Sequence, residues 1–503
     1  MHLFRLGSLP DGLYIDESAI AYNAAEIAAT GYDEYGVHMP LYFRSFDDYK
    51  APVYIYFVAF LFRLLGSSEF TLRLASFLCF FVGLVFAALL VSRLFPSRRG
   101  VVVFTILSFG TLPHFFVVSR LGFEVISQLA CTSAAVFLVW QCFHGPPQAR
   151  GRLLLCCCGF VLGLSVYTYP TARLLTFLGL VSLWLVYGSK QNLSKLALLS
   201  CSFAVALVPY TLYASEHASN LTARFRSISY LYTSLPAWRK LLFFIRNYFS
   251  YWTPGYLLRH GDVNLRHGTG FGGVVFGVTM ALFVVGVVLL AVRRAFVWQR
   301  FEAFLLLSLL LAPVPAALTS EGTPHALRSL LLSYYILLFS AYGFELIGTS
   351  LQRSRARALL ASALLLLAYE ASEFLFHYFV IYPPLSTVAM DSHGFQASML
   401  AALQAGPEKI VLFSPQSSYD YAHLAFSQLR LANPDRIPIE QSLLERMTPG
   451  TCVVYRQRDE KHLPFTSHPH TDFVPPSPSD LLQKRLHVAS APVVFKTRCL
   501  APA

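Results

Sequence analysis

Long apolar runs separated by short polar segments make up most of this chain. Residues 75–91 (ASFLCFFVGLVFAALLV) and 272–290 (GGVVFGVTMALFVVGVVLL) show no alternation of polar and apolar positions. A transmembrane helix needs about 20 mostly apolar residues, whereas a transmembrane β-strand alternates over about ten. The pattern therefore predicts an all-α polytopic membrane protein. The ten predicted spans are roughly 70–92, 101–118, 122–142, 153–168, 172–187, 196–214, 273–292, 301–318, 327–349 and 357–381.

The polar connections between these runs fall into two sets that alternate along the chain. One set is short, and each member carries two or three Lys or Arg residues: 92–100, 144–152, 188–195, 293–300 and 352–357. Cytoplasmic loops carry an excess of Lys and Arg, so this set is predicted to be cytoplasmic. The other set is then on the outer face: the segment 7–50, the loops 215–272 and 319–326, and the tail after 382.

Composition supports this interpretation and excludes others. Hydrophobic residues make up 55% of the 503 residues and charged residues only 13%, against about 25% charged in soluble domains. The net charge is +12, but the basic residues stand at the ends of apolar runs and form no single patch. We therefore expect no nucleic-acid partner and a protein surrounded by membrane lipid.

The tail from 383 to 503 differs in character from the rest. Residues 408–416 and 451–457 are typical of strands and 420–431 of a helix. They predict a small extracytoplasmic α/β domain over 383–503, following a transmembrane domain over 1–382. Its two cysteines, Cys452 and Cys499, would be able to pair outside the cytoplasm, and the sequence leaves open whether they do.

The outer segment near the N-terminus is acidic. Apolar residues at Ile20, Ala24, Ile27 and Ala28 predict one face of a short amphipathic helix over 16–29, with Asp16 at the N-cap and Glu17 at the first position. We expect Asp33 and Glu34 to be turn residues. The run 52–65 is too short to span and predicts an interfacial helix that begins at Pro52. The sequence leaves open whether a span precedes this segment in the full protein.

A second acidic motif precedes that helix. Asp47, Asp48 and Lys50 place two carboxylates and an amine within four residues, more charge than a helix cap needs. A carboxylate can take a proton from an attacking hydroxyl, and cations can hold a leaving phosphate. This combination is what transfer of a group from a phosphate carrier requires.

Several motifs in order resemble one enzyme family. They are LGSLPDGLYIDESAIAYNAAEIAATGYDEYG (6–36), PLYFRSFDDYKAPVYIYFVAFLFRLLGSSEFTLRL (40–74), SRLGFE (119–124), GLSVYTYPTARLL (163–175), LLRHGDVNLRHGTGFGG (257–273) and EGTPHALRSL (321–330). Together they resemble glycosyltransferase family 39, the protein O-mannosyltransferases and aminoarabinose transferases. The resemblance implies the GT-C fold with about 10–11 transmembrane helices. The tail after 382 is not covered by it.

The resemblance also implies a reaction and a site. A polyprenyl-phosphate sugar would be the donor, and the sugar would pass with inversion to a protein, lipid or glycan acceptor on the outer face of a bacterial inner membrane. Asp16 would be the catalytic base with Glu17 beside it, and Asp47 and Asp48 would form the second acidic motif. In the family a carboxylate often stands directly before the lysine, whereas here Tyr49 intervenes, so which aspartate acts stays open. The donor phosphate would be held by Lys50, Arg173, His325 and Arg328.

Further polar residues of the outer loops have alternative interpretations. Arg120, Arg173, Arg266 and Arg328 stand at span ends and would either bind phosphate or anchor the helices at the interface. His260, Asp262, Arg266 and His267 would bind phosphate, bind a divalent metal ion as in some relatives, or only close a loop. The sequence identifies no cofactor. A lipid-linked oligosaccharide ligase or polymerase and a transporter or flippase are the alternative functions.

Overall fold

The computed structural model describes residues 1–46, 48–145, 151–293, 299–387, 389–390, 394–413, 421–428, 439–441, 451–456, 459–460, 463, 470–473 and 495–500. The helices in this part of the chain are α1 (Ile15–Thr30), α2 (Pro52–Leu65), α3 (Glu69–Leu94), α4 (Arg99–Thr111), α5 (Pro113–Val118), α6 (Val125–His144), α7 (Gly151–Ser165), α8 (Pro170–Tyr187), α9 (Leu193–Ala206), α10 (Val208–Ile228), α11 (Ala237–Ser250), α12 (Gly277–Arg293), α13 (Arg300–Leu311), α14 (Val314–Ala317), α15 (Leu330–Ser350), α16 (Arg353–Phe376), α17 (Tyr382–Ser386), α18 (Phe395–Gln404) and α19 (Tyr421–Gln428). The strands are β1 (Phe43–Ser45), β2 (Asp48–Lys50), β3 (Lys409–Phe413), β4 (Ile439–Gln441), β5 (Thr451–Arg456), β6 (His470–Phe473) and β7 (Phe495–Leu500).

Every predicted span coincides with helical structure, and several spans are shorter or broken. Within the described residues, six stretches are long and apolar enough to cross a membrane, judged by length and composition: Glu69–Leu94, Val125–His144, Pro170–Tyr187, Arg300–Ala317, Leu327–Ser350 and Arg353–Ser386. Helices α9 and α10 meet at a bend of 49° and together form a seventh candidate. The predicted span 101–118 is broken between α4 and α5, because Pro113 has no amide hydrogen for a continuous helix. The chain is a multi-pass helical membrane protein, as predicted.

Helix α15 is the central helix of the bundle and is buried along most of its length. Its closest helical partner is α12, and two glycines bring the two backbones together. A Cβ atom at Gly343 would overlap the carbonyl oxygen of Leu282, and one at Gly286 would overlap the carbonyl oxygen of Phe339. Small residues at such crossings allow membrane helices to approach closely and gain van der Waals contact.

The first helix differs from its prediction in two ways. It begins at Ile15, and the N-cap is Tyr14, so the prediction of Asp16 as N-cap is wrong. Glu17 supplies the cap instead, because its carboxylate accepts the backbone N–H of Tyr14 at 3.1 Å. Helix α1 is also buried on more than the predicted face, since it packs against both α2 and α19.

The segments that flank α1 agree with the sequence. The carboxylate of Asp33 accepts the backbone N–H groups of Tyr35 at 2.9 Å and Val37 at 2.8 Å, which confirms a turn. Helix α2 begins at Pro52 as predicted. It exposes Phe60, Leu64 and Leu65, and its place at the membrane interface stays a prediction.

The C-terminal strands form a mixed sheet in the order β4-β3-β5-β7-β6. Strand β3 pairs in parallel with β4 and β5, and β7 pairs antiparallel with β5 and β6. Helix α18 packs on this sheet, and its hydrophobic cluster is separate from that of the helical bundle. Cys452 and Cys499 form a disulfide between β5 and β7, which settles the alternative that the sequence left open. The division of the chain at residue 382 stays a prediction.

The close crossing of α12 and α15 generates a stability prediction. Gly343→Ala is expected to destabilise the protein by about 1–3 kcal/mol, because the new methyl group has to displace the backbone of α12. The apparent melting temperature of the detergent-solubilised protein measures this loss.

Gly348, on the same helix, provides the matched control. A Cβ atom there would lie 3.5 Å from Leu360, in ordinary contact. Gly348→Ala should therefore leave the melting temperature unchanged or raise it slightly, since alanine favours a helix. Equal melting temperatures for the two variants would contradict the role assigned to the crossing.

Candidate active site

An ion pair between Asp16 and Lys50 forms the centre of the site. The Nζ atom of Lys50 lies 2.6 Å from Oδ1 of Asp16. The lysine is 8% exposed and the aspartate 37%, so a buried amine holds a carboxylate that is open on one side. The short β1–β2 hairpin places Lys50 directly before α2, and Asp16 lies in the first turn of α1. The packing of α1 against α2 brings together two charges that are 34 residues apart.

Glu124 is a third charged residue of this site, and sequence reasoning missed it. It stands directly before α6, and its Oε1 atom accepts the backbone N–H of Ala51 at 2.8 Å. Burial raises its pKa to about 7, an effect that the nearby Lys50 ammonium opposes and Asp48 and Asp16 reinforce. The sequence feature that could have identified Glu124 is its place as a carboxylate at the start of an apolar run, within the SRLGFE motif.

Lys50 stays protonated despite its burial. Burial by itself lowers the pKa of an amine, but the carboxylates of Asp16, Glu124 and Asp48 together raise the pKa of Lys50 above its ordinary value. Two of the three sequence motifs that supply these carboxylates were predicted to take part, and the structure brings all three to one amine.

Tyr169 connects this cluster with Arg328. It is the residue before α8 and interacts electrostatically with Arg328 as well as with Glu124, Asp16 and Lys50. Burial raises the pKa of its hydroxyl to about 12, and Arg328 opposes this shift. The tyrosine is therefore a neutral group close enough to both the carboxylate–lysine cluster and the arginine to interact with their charges.

Arg328 is held by the loop that precedes it. Its guanidinium donates to the Thr319 hydroxyl and to the Glu321 carbonyl, both at 2.9 Å, and lies 3.1 Å from Oε2 of Glu321. Glu321 is 52% exposed and also binds Arg224 at 2.8 Å. The arginine is thus buried and oriented, while the carboxylate that it binds is accessible to solvent.

A second cluster consists of Asp262, His267 and His325. Nδ1 of His267 lies 2.7 Å from Oδ2 of Asp262, and one ligand atom of each of the three residues lies within 4.8 Å of the others. The same Asp262 oxygen accepts the backbone N–H of Ala326 at 2.8 Å. Burial, together with His267 and Arg328, lowers the pKa of His325 to about 2. Its Nδ1 atom is buried without a hydrogen-bond partner among the described residues.

Two of the predicted site residues, Glu17 and Arg120, bind other parts of the protein. The carboxylate of Glu17 is buried and accepts from the Gly122 N–H at 2.7 Å, and it also binds Arg73 at 3.4 Å. Arg120 is buried and donates to carbonyls of the N-terminal segment, including Phe4 at 2.8 Å. Other groups of the protein therefore already bind the side chains of Glu17 and Arg120.

Two other arginines predicted for phosphate binding lie on aromatic rings. Arg173 stacks over Tyr42 at 5.0 Å, and Arg266 stacks over Tyr14 at 4.0 Å and donates to its hydroxyl at 3.0 Å. Tyr14 directly precedes α1, so Arg266 brings the second outer loop close to the helix that carries Asp16.

His260, Asp48 and Asp47 complete the predicted set. His260 is exposed, and Asp48 accepts the backbone N–H of Tyr49 at 2.7 Å. Asp47 lies outside the described residues. Of the two aspartates in the second acidic motif, Asp48 is the one whose interaction with Lys50 the structure describes.

The raised pKa of Glu124 predicts a dependence of stability on pH. Between its ordinary pKa of 4.5 and about 7, the folded protein binds a proton that the unfolded chain releases. Stability therefore falls as the pH rises through this window, by at most about 1.4 kcal/mol per pH unit.

Glu124→Gln should remove the contribution of Glu124 to the fall in apparent melting temperature between pH 5 and pH 7. Glu408→Gln, at an exposed carboxylate, should keep the wild-type slope, and an unchanged slope in Glu124→Gln would contradict the assignment.

Comparison with known proteins agrees with the helical membrane fold. Residues 49–213 match the family described as dolichyl-phosphate-mannose-protein mannosyltransferase. No curated protein sequence matches the chain. The fold is similar to that of ArnT from Cupriavidus metallidurans in the apo state, with a TM-score of 0.59 at 14% identity over 99% of this chain and 95% of that one.

Two further structures have similar folds. ArnT from Cupriavidus metallidurans bound to undecaprenyl phosphate has a TM-score of 0.59 at 15% identity, over 99% of this chain and 96% of that one. A complex of the Archaeoglobus fulgidus oligosaccharyltransferase with Zn and sulfate has a TM-score of 0.50 at 12% identity, over 89% of this chain and 64% of that one. The chain therefore has the GT-C fold and resembles the aminoarabinose transferases and protein O-mannosyltransferases.

Proposed function

We propose that this protein transfers a sugar, with inversion, from a polyprenyl-phosphate donor to an acceptor hydroxyl or amine on the extracytoplasmic face of the membrane. The contact between Asp16 and Lys50 is the observation that carries the proposal. It places a partly open carboxylate, suited to act as a base, beside a buried cation suited to bind phosphate. Undecaprenyl phosphate, the ligand bound by ArnT, belongs to the proposed class of carrier.

The proposed reaction is a single displacement. The acceptor oxygen or nitrogen forms a bond to the anomeric carbon of the sugar, and its proton passes to the Asp16 carboxylate. The bond from that carbon to the phosphate oxygen breaks, and the lipid phosphate leaves with the electron pair. Phosphate has a second pKa of about 6, so it leaves as an anion without a strong general acid.

The cations then act on the charge that develops on the phosphate. Lys50 contacts Asp16, and Lys50 and Arg328 both act electrostatically on Tyr169, so a phosphate bound beside this tyrosine would be near two cations. Such preoriented charge stabilises a transition state because the protein does not have to reorganise. We assign Glu17 to positioning, because its carboxylate is already bound by Gly122, Arg73 and Tyr14.

The disulfide and the loop charges support an outer-face site. Disulfides persist in oxidising compartments, and Cys452 and Cys499 lie in the C-terminal sheet, while helix α19 of the same C-terminal region packs on α1. The hydroxyl of Ser18 on α1 lies 2.7 Å from Nδ1 of His423 on α19. We therefore place the site and the small domain 383–503 on the same side, outside the cytoplasm of a bacterial inner membrane.

The second cluster fits a divalent metal ion. One carboxylate and two imidazoles are a ligand set that zinc accepts, and a partner-free buried nitrogen on His325 suits a cation better than an apolar wall. We propose that Asp262, His267 and His325 bind zinc and thereby fix the loop 257–273 against the loop that carries Arg328. A bound ion would supply positive charge near the site.

Metal content tests this assignment directly. Elemental analysis of the purified protein should find about one zinc per chain, and His325→Ala should lose most of it, because two protein ligands hold zinc far less tightly than three. His260→Ala, an exposed histidine of the same loop, is the matched control and should keep the metal. A wild-type protein without zinc after purification in zinc-containing buffer would overturn the site.

The role of Asp16 has its own test. Asp16→Asn should reduce transfer by about 10²–10⁴-fold, because the amide cannot accept the proton. The measurement is mass spectrometry of envelope glycoconjugates from a deletion strain that expresses each variant. Glu26→Gln changes another carboxylate of α1 and should restore the wild-type glycoconjugate. Full transfer by Asp16→Asn, in a protein of normal melting temperature, would exclude Asp16 as the base.

A further inference from the structure

Helix α11 has an apolar face that the rest of the protein does not cover. The exposed large side chains on this face are between 41% and 61% exposed: Trp238, Leu241, Leu242, Ile245 and Phe249. Their spacing of three, four and seven residues places them along one side of the helix. A contiguous exposed apolar surface of this kind marks an interaction site.

The inward side of the same helix meets the protein through one buried polar residue and through aromatic side chains, with Phe244 and Tyr248 packed against the hydrophobic core. Asn247 is the buried residue of α11, and its amide donates to the carbonyls of Thr319 at 2.9 Å and Ala317 at 3.3 Å. The five large apolar side chains on the outward side are nevertheless left exposed, which suits a helix whose outer face is surrounded by lipid.

The apolar face continues the lipid-facing surface of the helical bundle. The Tyr248 hydroxyl donates to the carbonyl of Leu310 at 2.9 Å, and Leu310 is 45% exposed within the candidate span Arg300–Ala317. Helix α11 thus lies beside the end of a span.

Two arginines follow one edge of the apolar face. Arg239 and Arg246 are seven residues apart, so they lie on the same side of α11, and both are exposed. Arg239 also stacks on Trp238 at 5.1 Å. Cations beside an apolar face match the anionic headgroups above the acyl chains of a bilayer.

The C-terminal end of α11 holds the loop that carries Arg328. The carbonyl of Thr319 binds Asn247, and the hydroxyl of the same threonine binds Arg328. Tyr251 directly follows the helix, and its hydroxyl accepts the backbone N–H of His325 at 3.2 Å. A displacement of α11 would therefore move the loop 319–328 as well.

We propose that α11 is embedded in the outer-leaflet interface and that this anchoring positions Arg328 for the phosphate of the donor. The first part depends on the exposed face alone. The second part rests on the proposed function. The partner is the lipid surface, with anionic headgroups along the arginine edge.

A photocrosslinking experiment tests the anchoring. The full-length protein carries benzoyl-phenylalanine in place of Leu242 or, as a control, of the exposed Glu408, and is reconstituted in nanodiscs of phosphatidylcholine and phosphatidylglycerol. Irradiation should attach lipid at position 242 and not at 408. A crosslink from position 242 to a second copy of the chain, or the absence of lipid adducts there, would overturn the proposal.

Binding of undecaprenyl phosphate tests the positioning. Replacing Leu241 and Leu242 by Ser should weaken its binding about tenfold, the effect expected for disturbing one hydrogen bond to a charged group. Arg328→Ala should weaken it similarly, whereas Leu241→Ile with Leu242→Ile should bind normally. Wild-type affinity in the serine variant would overturn the positioning role. If the wild-type protein crosslinks to lipid but binds no undecaprenyl phosphate, the proposed function fails and the anchor stands.

Discussion

The buried ammonium group of Lys50 is the constraint on which the candidate active site depends. A lone charge in a dry environment is strongly disfavoured, so the chain has to bring carboxylates to it. Asp16, Glu124 and Asp48 come from three separate segments and all raise the pKa of this one amine. Their meeting fixes α1, the β1–β2 hairpin and the start of α6 relative to one another. The same meeting leaves one carboxylate, that of Asp16, open on one side.

Two buried arginines likewise bring polar groups to themselves, here the backbone carbonyls of the N-terminal segment. Arg73 donates to the carbonyls of Pro10 at 2.8 Å and Gly12 at 2.7 Å, and it also binds Glu17. Arg120 binds carbonyls of residues 1–9 in the same way. A segment with little regular structure is therefore ordered around two guanidinium groups, and it in turn leads directly into α1. Arg120, which the sequence left as a candidate for phosphate binding, thus helps to order the segment that precedes α1.

The other part of the candidate site is formed by two loops that contact each other. Loop 257–273 supplies Asp262 and His267, and loop 319–328 supplies His325 and Arg328. Hydrogen bonds from α11 and from Asp262 hold the second loop at several points. This arrangement makes the position of Arg328 depend on α11 and on the loop 257–273 as well as on its own loop.

The sequence by itself determined the membrane fold, the places of the apolar helices, the turn at Asp33 and the early acidic segment. Hydropathy and capping act over neighbouring residues, so a linear pattern carries that information. Only the tertiary structure decided which charges meet. Arg120 and Arg328 both stand at span ends and are alike in sequence, yet Arg120 binds carbonyls of the N-terminal segment and Arg328 is held by Thr319 and Glu321. Glu124 and Ala51 are 73 residues apart, and Cys452 and Cys499 meet across two strands. Packing sets such distances, because an isolated stretch of sequence does not specify which distant segment will lie beside it.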